Sequence, residues 1–467
     1  MEIPFIGGAY EGRSKNINAQ VCQNLFHVID NAGGKSVMAL MGVPGAVSWF
    51  SAGGTDEVRG FCLWDSYLYA VVGSTLYRIT TAGVGTDVGT LSTTTGRVWM
   101  AGGTTHLGIV DGSYGYYQTS GATALTTVTD GDFPGAPTSL AYMDSRFIVT
   151  QGDSDTYYVS DSEDFSSWDA LGFISAEDTP DEAYAVVQYR RQLWLPGELT
   201  TEVHYGTGNS TYPFARIAGA VIPTGCRAVN SIAAGFEGLF FLDNRLRVVA
   251  VSELTLVPIS TEQIDYQISK MTSPGDALGY CWTQEGHSFY GLTFPETDGK
   301  TFVFDVTTGL WHTRSSDTSQ GRWRANCAVN FADKALIGGY NDGTIYELDF
   351  DTYTDAGETV QAIRAAQPVH SGRKIVTFSR LELDMETGVG TAAGAGSDPQ
   401  AILDWSDDGG HSWSNEHWAD IGGIGERSTR VIWRRLGAAR QRVFRVTITD
   451  PVKRVIIGAH LDARVGR

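Results

Sequence analysis

Residues 58–79 read VRGFCLWDSYLYAVVGSTLYRI: an apolar run, a break at Asp65-Ser66, a second run, a break at Gly73-Ser74, and a third run. Tyr67 to Val71 alternates with a period of two, the pattern of a strand with two unlike faces. Aromatic and β-branched residues dominate the runs, and two-residue polar breaks suit hairpin turns. Such a unit predicts a small antiparallel meander that cannot bury its faces by itself.

The same grammar returns at Val98 (VWMAGGTTHLGIVDGSYGYYQ), Ser139, Ala183, Asn230, Leu278 and Arg324. Successive starts are 40, 41, 44, 47, 48 and 46 residues apart. A period in the forties with three or four strands per unit predicts a β-propeller over residues 58–360. Seven blades are expected, with six the alternative because the longer fourth to sixth intervals blur the count. A large Greek-key sandwich is the competing arrangement, but sandwiches do not repeat at a fixed long period. Residues 1–57 are expected to close or decorate the propeller, with SVMALMGVPGAVSWF (residues 36–50) as the outer strand that completes the ring.

After Asp355 the grammar changes. TFSRLELDMETG, QAILDWSDDGGHSW, STRVIWRRLG, QRVFRVTITD and VKRVIIGAHLD read as longer strands, with the Gly/Ala-rich loop GVGTAAGAGSDPQ after the first. Residues 361–467 are expected to form a second, sandwich-like β-domain with a basic end. Composition agrees with an all-β chain: 467 residues hold 56 glycines and 11 % aromatic but only 19 % charged residues.

The formal charge is −19, which disfavours non-specific wrapping of DNA by the body of the protein. Arg427 to Arg467 holds ten Arg and one Lys against Asp450 and Asp462, a net of +9 that leaves −28 on the rest. The basic end reads either as a solvated face or as a docking surface for an acidic partner or DNA. No apolar run approaches the ~18 residues of a membrane span, so no membrane insertion is expected. The start MEIPFIGGAYEGRSKN lacks the pattern of a secretion signal. Five scattered cysteines without C-x-x-C spacing suit a reducing compartment rather than a disulfide framework or zinc site.

SDDGGHSW, residues 406–413, matches S-x-D-x-G-x-x-W, the Asp-box turn met in sialidase propellers. Ser406 and Asp408 are expected to accept backbone N–H bonds, Gly410 to supply a conformation other residues resist, and Trp413 to pack beneath. The box stands once, outside the repeats, and every part of it has a structural use. A sialidase also needs three arginines on a carboxylate and a tyrosine nucleophile, and no spacing points to them. A glycan-binding or sialidase-like propeller at the host surface therefore stays as the alternative function only. Asp407, Asp408, His411, Glu416, His417 and Asp420 fit no metal-ligand template. The acidic run SDSEDFSSWD (residues 160–169) lacks the glycine of a calcium loop. GVGTDVG (residues 83–89) misses the dinucleotide pattern and precedes no helix, and no G-x-S-x-G elbow, phosphate loop or H-E-x-x-H occurs. No catalytic residue, cofactor or metal is expected.

STRVIWRRLGAARQRVFRVTITDPVKRVIIGAHLD, residues 428–462, resembles the end of the packaged-DNA stabilisation proteins of short-tailed bacteriophages, the tail hub or nozzle subunits. NAQVCQNLFHVID and LMGVPGAVSWF resemble that family's start. YYVSDSEDFSSWDALGF, PDEAYAVVQYRRQLWLPGELTTEVHYGTG and VVAVSELTLVPISTEQID resemble its middle. The resemblance implies a non-enzymatic subunit of the virion tail, assembled in the bacterial cytoplasm as a ring, typically a homo-hexamer. Its implied partners are the portal's head-to-tail adaptor, spikes or fibres and the needle. Packaged DNA would pass through without sequence-specific binding. Arg430, Trp433, Arg434, Arg435, Arg440, Arg442 and Arg445 are the expected docking residues, with Trp433 and Arg435 on one strand face opposite Arg434.

Overall fold

The computed structural model describes residues 2–175, 182, 184–209, 213–296, 299–318 and 321–466. Ala183, the expected start of the fourth repeat, lies outside the described residues. The fold is all-β, a propeller followed by a sandwich. Six sheets belong to the propeller alone. Five are four-stranded meanders spanning residues 58–90, 99–127, 137–175, 187–222 and 233–258, and the sixth is built on Ala325–Phe331, Lys334–Gly339 and Thr344–Asp349. The innermost strands neighbour one another in chain order, and Ala325–Phe331 returns to Val58–Trp64 to close the ring.

The expectation of seven blades is corrected to six sheets of the propeller's own, because the repeat from Leu278 is no free-standing blade. Its strands Leu278–Gln284, His287–Thr293, Thr301–Asp305 and Leu310–Arg314 stand in the ring between the fifth and sixth sheets. They also begin a ten-stranded sheet. Leu310–Arg314 does not end at a free edge: Val21–Gln23 runs parallel to it through Gln23 and Thr313, then pairs with Ala362–Ala365 of the second domain.

Local chemistry explains the meanders. Between first and second strands, Asp65 and Ser66 take φ of 49° and 64°, Asp144 and Ser145 49° and 65°, Arg190 and Arg191 48° and 61°, Ala332 and Asp333 52° and 60°. Two successive positive φ values make the tight hairpin turn whose twist matches that of the strands. Register holds next to each turn and slips only at the far end of three of these hairpins, near Val58, Pro137 and Ala325, so one face of the ring is a set of short turn tips.

The segment expected to close the ring divides in two. Gly45–Ser51 does pair with Thr344–Asp349 as its outer strand, from Gly45 beside Asp349 to Ser51 beside Thr344. Met38–Gly42 instead pairs with Leu25–Ile29 and with Val455–Val465 in the second domain. Most of the N-terminal segment is therefore sandwich. Its two sheets are the far half of the ten-stranded sheet and a seven-stranded sheet. The second contains Leu25–Ile29, Met38–Gly42, Val455–Val465, Val376–Met385 and Val431–Arg434. Ile3, Phe5, Leu25 and Leu40 join Phe378, Leu403, Phe444 and Leu461 in one buried core between them. Arg364, fully buried, fastens the N-terminal segment there. Its Nε donates to Phe5 O at 2.6 Å, Nη1 to Gly8 O at 3.0 Å, and Nη2 to Gln20 Oε1 at 2.7 Å. Burial lowers its pKa to about 10, still charged at neutral pH.

Candidate interaction surface

The basic end of the chain folds into Val431–Arg434, Gln441–Ile448 and Val455–Val465, and these strands sort its arginines by role. Arg442 is buried at 2 % exposure, with its guanidinium over Phe378 and Trp405. Its Nε and Nη2 grip Asp407 at 2.6 and 2.7 Å, and Nη1 donates to Leu436 O. Arg445 pairs with Asp404 and lies 3.8 Å over the Trp413 ring. Trp433 is buried and donates Nε1–H to His417 O at 2.8 Å. Arg442 and Trp433 are buried in the sandwich and offer no free surface for the docking expected of them, whereas Arg445 keeps part of its side chain in solvent. Gln441–Ile448 lies inside the ten-stranded sheet with cover on both faces, which buries Arg442 and leaves Arg445 half-buried.

Arg430, Arg434, Arg435 and Arg440 are exposed. Arg430 makes a two-pronged pair with Glu382 at 2.8 and 2.7 Å, holding that carboxyl below its ordinary range. Arg435 does not share a strand face with Trp433. The strand ends at Arg434, and Arg435 turns out of it with φ 61°, its N–H on Ser379 O. Arg464 of the basic run and two cations that sequence reading passed over, Arg373 and Lys374, join Arg434, Arg435 and Arg440 at this end of the domain. Arg464 lies opposite Thr377, Arg440 donates to Arg373 O, and Lys374 stands beside Arg373. Exposed Ile375 and Val465 sit among them, at 50 % and 51 %. Arg373 and Lys374 were missed because they fall outside the basic run and reach it only through strand pairing.

The Asp box has the turn geometry its sequence implies. Ser406 Oγ donates to Asp408 Oδ1 at 2.7 Å and accepts from Gly410 N at 2.7 Å. Asp408 also accepts from His411 N at 2.9 Å and from the Ser412 hydroxyl at 2.6 Å, which hold its carboxyl well below the usual range. Gly410 takes φ 96°, and a side chain on Gly409 would collide with Asn16 of the N-terminal segment. Trp413 packs toward Ala19, Ala365 and Val443. His411, Glu416, His417 and Asp420 are not gathered: His417 stacks on Trp405 and Asp420 caps Gly422 N. Among the described residues no group of three or more His, Cys, Asp or Glu is placed to hold a metal ion. In the acidic run, Asp161 and Asp164 bond Ser167 and Ser166 within the turn.

The opposite charge gathers on the turn-tip face of the propeller. A cleft of 1330 Å³ there is lined by Glu237, Glu285, Asp333 and Asp351, with Phe236 exposed at 91 % and Leu63 at 48 %. Lys334 also lines it but is paired with Glu347 at 2.6 Å. The near end of the sandwich, at Lys453 and Arg454, adjoins this face beside Glu285 and Asp351. Val455–Val465 then carries the chain away, about 33 Å over ten steps of about 3.3 Å. The basic tip of one chain therefore stands far from its own acidic cleft. Among the described residues no helix is long and apolar enough to cross a membrane.

Two family models match the chain: "Bacteriophage P22 Gp10, beta-propeller" over residues 1–353 and "Bacteriophage P22 Gp10, beta-sandwich" over residues 362–464. No curated protein matches it. Among solved structures, a virginiamycin B lyase from Staphylococcus aureus is 9 % identical, with a TM-score of 0.43, covering 65 % of this chain and 97 % of that one. The Pan2 WD40 domain of Neurospora crassa is 8 % identical at 0.41, covering 66 % and 96 %. The computationally designed Ika8 protein is 11 % identical at 0.40, covering 65 % and 99 %. Likeness at this level carries no argument.

Proposed function

The chain belongs to the bacteriophage P22 Gp10 family, and from that membership we propose that this phage structural protein is a tail subunit. Copies of it form a ring, typically of six, below the portal and head-to-tail adaptor. The ring retains packaged DNA and carries the spikes or fibres and the needle. The observation that supports this reading is the division of charge: a cationic tip on the sandwich and an acidic cleft on the propeller face, held apart within one chain. Surfaces that cannot meet within a molecule are suited to meet between molecules, in the heterologous contacts from which rings are built. Complementary charge there would set partner choice and encounter rate more than affinity. An acidic body also suits a DNA channel, because it would not hold sliding phosphates.

The glycan reading finds little to stand on. The Asp box spends the Ser406 hydroxyl and the Asp408 carboxylate on its own turn. The test is a phage carrying a stop codon in this gene, with particles scored by electron microscopy. Heads that packaged DNA and then emptied, without spikes, are the expected result. Full heads with complete tails that fail to infect would overturn the proposal and move the function to the host surface.

A further inference from the structure

Two histidines are buried where the ring meets the sandwich. His27 stands on Leu25–Ile29 of the seven-stranded sheet and His312 on Leu310–Arg314 of the ring, and the two strands pack together. Both side chains are fully buried, and among the described residues neither nitrogen of either ring has a hydrogen-bond partner. Phe26 fills the space between the strands, 5.2 Å from the His287 ring and 6.5 Å from that of His312, and Phe289 lies 6.1 Å from His312.

The charges around the pair leave no partner for an added proton. Asp305 is engaged by His287 Nδ1 at 2.9 Å, Thr307 N at 3.0 Å and the Thr308 hydroxyl at 2.8 Å. Arg314 is buried on the same strand face as His312, and Asp355, which acts on it, is bonded to Arg324. Arg364 is buried against the N-terminal segment, and burial keeps Cys22 and Tyr10, the acids that act on it, neutral. A proton on either imidazole therefore joins two guanidiniums in a dry space, which is costly. Burial and Arg364 lower the His27 pKa from 6.5 to about 4, although the Gly7 carbonyl and Asp305 favour the charged ring. Burial, with Arg314, His27 and His287, holds His312 well below 6.5. An opened junction takes up protons that the closed one refuses, so opening is promoted as pH falls below 6.5.

We propose that His27 and His312 form an acid-sensitive latch: neutral, they let the N-terminal strands seal the sandwich against the ring, and protonated, they prise the two apart. The opening runs through Gln23 and Thr313, the single paired position between Val21–Gln23 and Leu310–Arg314, next to His312 in the chain. With two protons taken up, the opening equilibrium rises roughly fiftyfold between pH 6 and pH 5, against about sevenfold for one.

The experiment is amide hydrogen exchange of the full chain at pH 6 and pH 5, with rates corrected for the intrinsic effect of pH. Protection of Val21–Gln23, Leu25–Ile29 and Leu310–Arg314 is expected to fall by that factor, while residues 58–90 of the first meander keep theirs. His312→Gln is expected to reduce the fall to about sevenfold. Should that chain fail to fold, His27→Gln is expected to do the same. Equal corrected protection at the two pH values would overturn the proposal. So would a fall shared by residues 58–90, which is general acid weakening, or a fall that the variants leave unchanged.

Discussion

Arg434 and Arg442 stand in one basic run, yet the first faces solvent and the second is buried under aromatic rings with Asp407 in its grip. Arg442→Ala is expected to cost about 3 kcal/mol, by leaving Asp407 and Leu436 O without their donor. Arg434→Ala is expected to stay within about 0.5 kcal/mol. Urea midpoints of the two variants check both values. The run of arginines was plain in the sequence, but their sorting was not. Alternation marks exposure only when one strand face is open, and Ala19, from the far end of the chain, helps cover the outer face here. A second residue-scale effect concerns acid. Burial, with Arg364 nearby, lowers the His27 pKa from 6.5 to about 4. A depressed value favours the neutral ring in the folded state, so its contribution is complete above pH 6.5. That contribution is lost as pH falls through the window down to about 4. The loss amounts to about 3 kcal/mol at one pH unit per 1.36 kcal/mol. His27→Gln is expected to flatten the stability profile between pH 6.5 and 4, read by denaturation at a series of pH values.

At the scale of elements, the hairpins were the legible part, because each carries its turn chemistry in two adjacent residues. Ser66 holds φ 64° without being glycine. Ser66→Gly is expected to stabilise the chain by about 0.5–1 kcal/mol, relieving the left-handed strain at some cost in unfolded-state entropy. Calorimetry of the variant would show it. Long-range pairing was harder to read. Met38–Gly42 and Gly45–Ser51 look alike as sequence, and Val43-Pro44 between them sends the first to the sandwich and the second to the ring. Met38–Gly42 has a near partner in Leu25–Ile29, but the partners that assign the two strands to different domains, Val455–Val465 and Thr344–Asp349, lie hundreds of positions away. A chain starting at residue 55 loses the closing strand and four sandwich strands at once. It is expected to aggregate rather than elute as a folded monomer in size-exclusion chromatography. The merging of the repeat from Leu278 into the second domain escaped the sequence for the same reason: Val21–Gln23 is three residues long and carries no strand signal of its own.

For the whole molecule, net charge said what the protein avoids but not how its charge is arranged. The basic tip combines Arg434, Arg435, Arg440 and Arg464 with Arg373 and Lys374, and the acidic cleft draws on turns from several sheets. If these surfaces meet between copies or with a neighbour, Arg434→Glu with Arg435→Glu should slow association at low salt. That slowing should shrink as ionic strength rises, because the Debye length falls from about 30 Å at 0.01 M to about 3 Å at 1 M. Stopped-flow light scattering across a salt series measures it; an effect that does not change with salt would point to packing instead. The ten-stranded sheet has a mechanical consequence. A hinge between two domains needs a compliant linker, whereas here the ladder of peptide hydrogen bonds passes from ring to sandwich through Val21–Gln23. A pull on the sandwich is therefore transmitted as strain along a continuous sheet, and the molecule answers it as a stiff lever with its weakest rung at Gln23 and Thr313.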